Sequence, residues 1–246
     1  RLSGFGGGVP ADTFDAVTET KVKNFQRDYM KLKNPSGVVD EETARAIDEF
    51  GKKYTENLND YKCQCGKCNG FGKGKFKGEY RAAKKAEKHH KYEYPGVHRS
   101  LLWLIRGLRF YLTLEKAPEL TVGKINSGYR CWADNDAKKR TSTNHMGKAA
   151  DLHIYQKAAN GTWENGGKAK CDKARGILCL RASAQIRWAV DNRFALEPSE
   201  AQYKGEFVAT TWVHVDVRTF DPKKYLPDRF FAKTNGEMNG SPMVQL

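Results

Sequence analysis

Three absences bound this 246-residue chain. No run of apolar residues approaches the ~20 needed to cross a bilayer as a helix. No leader with a basic start and an apolar stretch is present, and the chain opens on Arg1 rather than Met. That points to a processed product or an excised fragment, so the missing leader says nothing about export. Acidic residues are scarce: 29 against 43 basic ones, for a formal charge of +14. Such a surface favours polyanions, whether nucleic acid, anionic lipid or anionic cell-wall polymer. Nucleic acid is disfavoured, because the basic run 79–92 offers only Tyr80 and Tyr92 where a base-stacking surface needs interleaved aromatics. What is present suffices for a core: 39% hydrophobic and 11% aromatic residues exclude global disorder.

The six cysteines are Cys63, Cys65, Cys68, Cys131, Cys171 and Cys179. Cys63, Cys65 and Cys68 lack the paired CxxC…CxxC spacing that would mark a zinc site strongly. A structural zinc with a fourth ligand such as Cys131 or a His is one reading. Disulfides are the favoured one, since an even count suits an oxidising compartment.

Periodicity divides the chain into 1–54, 55–94 and 95–246. Residues 1–12 are Gly-rich and aperiodic. Val22, Phe25, Tyr29 and Leu32 form a helical stripe that Asn34-Pro35-Ser36-Gly37 stops. Asp40 is an N-cap for a second helix with Ala44, Ile47 and Phe50 as its stripe. The connector 55–80 is Cys- and Gly-rich and leads into a basic run expected to be a solvated helix, with His89 and His90 on its surface. Pro95 opens the strongest helix, with Leu101, Leu104, Ile105, Leu108 and Leu112 inward and His98 structural. Strands are expected at 120–125, 148–155 and 207–218. The residues between them read as a charged loop at 134–140, a polar excursion at 156–176 and a helix at 180–194 with Ile186, Ala189 and Val190 inward. The sum is a compact α+β domain, a small antiparallel sheet with packed helices.

Two short stretches, 144–153 and 212–218, hold three imidazoles and two carboxylates. On a strand, residues i and i+2 share a face, so Asp151 pairs with His153 and His214 with Asp216. His145 lies in the loop entering the first strand. Two imidazoles and one carboxylate make a catalytic zinc set with a fourth position open to water, whose pKa zinc lowers towards ~7.

Two resemblances sharpen this reading. Thr18-Glu19-Thr20-Lys21-Val22-Lys23-Asn24-Phe25-Gln26 with Gly37-Val38-Val39-Asp40-Glu41-Glu42-Thr43 resembles the peptidoglycan-binding repeat of wall hydrolases. In that family these residues span the second and third helices, which would put the first before Arg1. Ser127-Gly128-Tyr129-Arg130, then His145-x-Gly147-x-Ala149-x-Asp151, then Trp212-Val213-His214-Val215-Asp216 resembles the zinc D-Ala-D-Ala carboxypeptidase and L-alanyl-D-glutamate endopeptidase family, whose fold the hedgehog signalling domain shares. The resemblance implies His145, Asp151 and His214 as zinc ligands, Arg130 on the scissile carbonyl or a substrate carboxylate, and Ser127 and Tyr129 shaping the pocket. Two features depart from the family. The interval from His145 to Asp151 is one residue short, which keeps His153 in reserve as a ligand. Thr211 stands where the family often has its acidic base; Asp216 is the first substitute and Glu206 the second.

The implied function is a zinc-dependent peptidase acting outside the cytoplasm on a stem peptide or cross-link of bacterial peptidoglycan, in the periplasm or wall. A larger carrier or delivery protein is a candidate partner. The alternative is an inactive zinc-bearing module that binds wall or protein.

Overall fold

The computed structural model describes residues 1–72, 77–81, 88–140, 142–187, 191–200, 209–240 and 243, with the backbone alone described at 77–81 and 88–91. Helices and a mixed sheet make it α+β. A buried turn at Ser3–Phe5 precedes α1 (Ala16–Asp28) and α2 (Glu41–Lys53). Asp15 and Asp40 cap these helices, each accepting from the backbone N–H three residues on. Leu32 lies beyond the end of α1, at the surface. Phe5, Phe25, Tyr29 and Phe50 stack edge-on and tilted around one another and against Phe110.

Phe110 belongs to α3 (Arg99–Thr113), so the helical module and the following domain share a core. The contact is backbone-close: a Cβ on Gly4 or on Gly107 would stand 2.5 Å from the other's Cα. His98 rather than Pro95 caps α3. It accepts from the Ser100 N–H through Nδ1 and donates from Nε2 to the Tyr225 carbonyl at 2.8 Å, the structural role expected of it.

The described ends of the basic run are not helical, and 82–87 lie outside the described residues. Its ends pair as antiparallel strands β1 (Lys77–Arg81) and β2 (Lys88–Tyr92). On a helix Arg81, Lys84, Lys85 and Lys88 would stand as like charges three and four apart; among the registered strand pairs like charges face each other at one position, Arg81 opposite Lys88.

The main sheet runs β4 (Leu120–Ser127), β5 (Ala149–Lys157), β9 (Val213–Asp216), β8 (Ala195–Leu196), β7 (Gln185–Ile186), with β6 (Trp163–Asn165) also on β5. The pairs are antiparallel except β7 with β8, so the sheet is mixed rather than wholly antiparallel. α3 and α5 (Gly167–Ala182) pack beneath it around Leu152, Ile154 and Leu178. β3 (Val97–His98) pairs with β10 (Phe231–Ala232), and α4 (Trp132–Ala137), α6 (Pro222–Tyr225) and α7 (Asn235–Asn239) complete the described α-helices and strands.

Four local expectations are corrected. The excursion at 156–176 contains β6 and most of α5. The helix expected at 180–194 ends at Ala182, where Ser183 turns left-handed (φ 50°) and its N–H caps the Leu178 carbonyl. Ile186 is on the edge strand and 42% exposed, while Ala189 and Val190 lie outside the described residues. The charged loop at 134–140 begins inside α4, which the Cys131 thiol caps. Of the strand expected at 207–218, β9 takes four residues; 207 and 208 lie outside the described residues, as does Glu206.

Gly107→Ala provides a test in which two forces have opposite signs. Helix propensity favours Ala by about 1 kcal/mol. Overpacking against Gly4 costs about 1–3 kcal/mol. Denaturant unfolding should therefore find the variant less stable; a stabilised variant would show that the module does not sit this close to α3.

Candidate metal centre

Sheet register builds the site. Ser127 is opposite Asp151, and Asp151 is opposite His214, so one row across β4, β5 and β9 carries all three side chains. His145 joins from the loop before β5. That loop is pinned on three sides: Arg130 N–H donates to the His145 carbonyl (2.7 Å), His98 N–H to Gly147 (2.9 Å) and Tyr94 N–H to Met146 (3.2 Å). Gly147 has φ 110°, and a Cβ there would lie 2.5 Å from the Gly96 carbonyl oxygen, so the turn requires glycine. The short interval to Asp151 is thus absorbed by a tight turn.

One ligand atom each from His145, Asp151 and His214 lie mutually within 4.8 Å, all three residues buried. The His145 Nδ1–H donates to the Gly128 carbonyl at 2.8 Å, which fixes the tautomer and leaves the Nε2 lone pair facing Asp151 Oδ1 at 3.5 Å. His214 Nδ1 lies 2.7 Å from the same oxygen, and its Nε2 lies 2.9 Å from Asp216 Oδ2. A His whose outer nitrogen is held by a carboxylate while the inner one faces a ligand cluster is the arrangement that orients metal-binding imidazoles. The donor set therefore fits a zinc ion bound through His145 Nε2, Asp151 and His214 Nδ1.

Charge states agree. Burial disfavours a charged His214, but the hydrogen bonds to Asp151 and Asp216 outweigh it and push its pKa up to about 10. Burial holds His145 below the ordinary histidine value. Burial opposes ionisation of Asp151 and Asp216, but the charges and hydrogen bonds of His145 and His214 for the one, and of Arg218 and His214 for the other, hold both well below the usual carboxylate range. The pocket thus concentrates negative charge around a proton that a dication can replace.

The remaining expected residues fall as follows. Arg130 donates from Nε to Ser127 Oγ (2.6 Å) and from Nη2 to Asp151 Oδ2 (2.8 Å), so it grips the ligand carboxylate. Tyr129 is buried with its hydroxyl on the Tyr94 carbonyl. Ser127 to Arg130 nonetheless line a cleft of about 820 Å³, whose other walls bring Lys62, Arg109, Lys124, Lys138 and Arg140 together with Asp60 and Asp134, the last paired to Lys138 and Arg140. His153 is not in the cluster; its Nδ1 meets Asn165 at 2.6 Å. Asp216 is 0% exposed and its oxygens are taken by His214 and by the backbone N–H and Nε of Arg218. That position suits a clamp on His214 better than a base that must reach a water.

Glu197 is the group that motif reasoning missed. It follows β8, its N–H donates to the His214 carbonyl (3.3 Å), and its Oε2 is buried with no hydrogen-bond partner. Burial raises its pKa, and it is close enough to His214, Asp151, Arg218 and Asp216 to feel their charges. The buried guanidinium of Arg175 holds this corner, donating to the carbonyls of Glu197 (2.9 Å) and Trp212 (2.7 Å). Neither residue lies in a recognisable ligand spacing, so no sequence signal marked them.

Removing the outer hold on His214 should weaken the metal without abolishing it: Asp216→Asn is expected to cost about 10–100-fold in zinc affinity by competition with a chelator. His214→Ala should lose binding at this site altogether. Because zinc must displace one proton from His214, affinity should rise about tenfold per pH unit between ~7 and ~9 and level off above the pKa near 10. A pH-independent affinity would contradict the ligand assignment.

Comparison with known proteins bears on the other end of the chain. Residues 1–47 match the peptidoglycan binding domain family. No curated protein and no solved structure matches the chain significantly. The match supports a peptidoglycan-binding domain at residues 1–47 and, with it, a role related to the cell wall.

Proposed function

We propose that the chain is a zinc-dependent peptidase of bacterial peptidoglycan, acting in the periplasm or wall. The observation that carries the reading is the convergence of His145, Asp151 and His214 from three separate segments into one buried cluster, with the outer nitrogens of the two histidines held by the Gly128 carbonyl and Asp216. The peptidoglycan-binding domain at residues 1–47 supports the substrate class independently. When bound, zinc supplies Lewis-acid activation at this point of the sheet.

The chain's own residues do the rest. Asp216 holds His214 in its binding orientation and is itself held by Arg218. The basic cleft beside the cluster recognises the carboxylates of a stem peptide. Arg130 is at the junction of cleft and cluster, where its guanidinium can exchange Asp151 for a substrate oxygen. Glu197 accepts the proton of the attacking water and returns it to the leaving amine; an unpartnered oxygen and a pKa that burial raises suit a group that must both take and give a proton.

A second reading, an inactive zinc-bearing module that binds wall or protein, is favoured by Thr211 at the usual position of the base and by the engagement of Arg130 with Asp151. Digestion of purified sacculi, followed by mass spectrometry of released muropeptides, separates the two. The peptidase reading expects release that a chelator abolishes and zinc restores. Release that persists in chelator rules out the zinc mechanism, and zinc binding without release favours the second reading. Glu197→Gln should retain zinc and lose about 10²–10⁴-fold in turnover; undiminished turnover would remove Glu197 from the proton path.

A further inference from the structure

We propose that Cys63, Cys65, Cys68 and Cys131 form a second, structural zinc site that clamps the connector to the wall of the basic cleft. It is independent of the peptidase reading. The four sulfurs lie within 4.8 Å of one another, with Cys65 to Cys131 at 3.4 Å and Cys65 to Cys68 at 3.7 Å. A tetrahedron of thiolates around zinc, with Zn–S bonds of about 2.3 Å, has edges of about 3.8 Å. A disulfide would bring a pair to about 2.05 Å, and none of the six cysteines is so paired. The favoured expectation of disulfides is therefore corrected for this cluster.

Hydrogen bonding points the same way. Each sulfur accepts one backbone N–H: Cys65 from Lys67 (3.3 Å), Cys68 from Gly70, Cys63 from Cys131 and Cys131 from Asp134 (each 3.4 Å). Four sulfurs supplied with four donors are sites prepared for negative charge, which thiolates on a metal carry and disulfide sulfurs do not. Cys63 and Cys131 are buried and Cys65 and Cys68 half-buried, and four cysteines fill all four positions of a tetrahedral site, as structural zinc requires.

Position gives the site its consequence. Cys131 directly follows Arg130, and Cys63 follows Lys62; both neighbours line the cleft. The two segments also meet through Tyr129 N–H on the Tyr61 carbonyl at 2.6 Å. A metal bridging Cys63, Cys65 and Cys68 to Cys131 fixes these two walls relative to one another and holds the loop from which Arg130 reaches Asp151.

Elemental analysis of the full chain, purified in reducing buffer with zinc, tests this. The expected content is two zinc ions per chain, falling to one in His214→Ala and to one in Cys65→Ser/Cys68→Ser. Should the cysteine variant not fold, cobalt-loaded His214→Ala decides: thiolate-to-cobalt charge-transfer absorption supports the site. A single zinc that His214→Ala removes, or an intact mass with the deficit of one or two disulfides traced to these cysteines, overturns it. A single zinc in the unmutated chain that His214→Ala leaves in place, with the thiolate signal present, would defeat the peptidase reading alone.

Discussion

A buried carboxylate has to be compensated, and Asp151 is compensated three times. His214 and His145 approach one of its oxygens and Arg130 grips the other. Those partners come from β9, from the loop before β5 and from the turn after β4, so this one charge draws together the segments that form the site. Sheet register makes the meeting possible, because cross-strand neighbours share a face and Ser127, Asp151 and His214 occupy one row. A second tier holds the first: Asp216 on His214, the Gly128 carbonyl on His145, and Ser127 on Arg130. The cluster is therefore preorganised from outside, and a dication can replace the proton at its centre with little movement of the donors.

The helical module is built into the same body. Its aromatic residues pack around Phe110 of α3, and α3 lies under the sheet that carries the site. A peptidoglycan-binding domain fused rigidly in this way presents wall and cleft at a constant offset, in contrast to one on a flexible linker, which would act through effective concentration alone. The cleft is lined by Lys and Arg, which suits carboxylate-rich polymer and accounts for part of the chain's excess positive charge.

Sequence was most informative where one face of an element is apolar and the other polar. The Leu101–Leu112 stripe and the stripes of α1 and α2 are legible for that reason, whereas the meeting of Asp151 with His214 follows from the family resemblance and not from periodicity, which pairs Asp151 with His153. α5 was missed because its buried stripe includes Arg175 and lies in a Lys- and Gly-rich stretch that reads as solvated. The pairing of β1 with β2 is not legible in the sequence, because charge runs carry no period. Glu197 and the partnership of Cys131 with the three connector cysteines depend on contacts between residues far apart in the chain, which local spacing does not encode. The choice between base and clamp for Asp216 also needed three dimensions, since only its full burial and its bonds to His214 and Arg218 separate the two.

Anomalous diffraction at the zinc edge from crystals of the full chain tests the central claim most directly. The account predicts a peak bounded by His145 Nε2, Asp151 and His214 Nδ1, with His214 Nε2 still on Asp216. A zinc-soaked crystal with no peak there, and with His214 bonded to both carboxylates as an ion network, would contradict it.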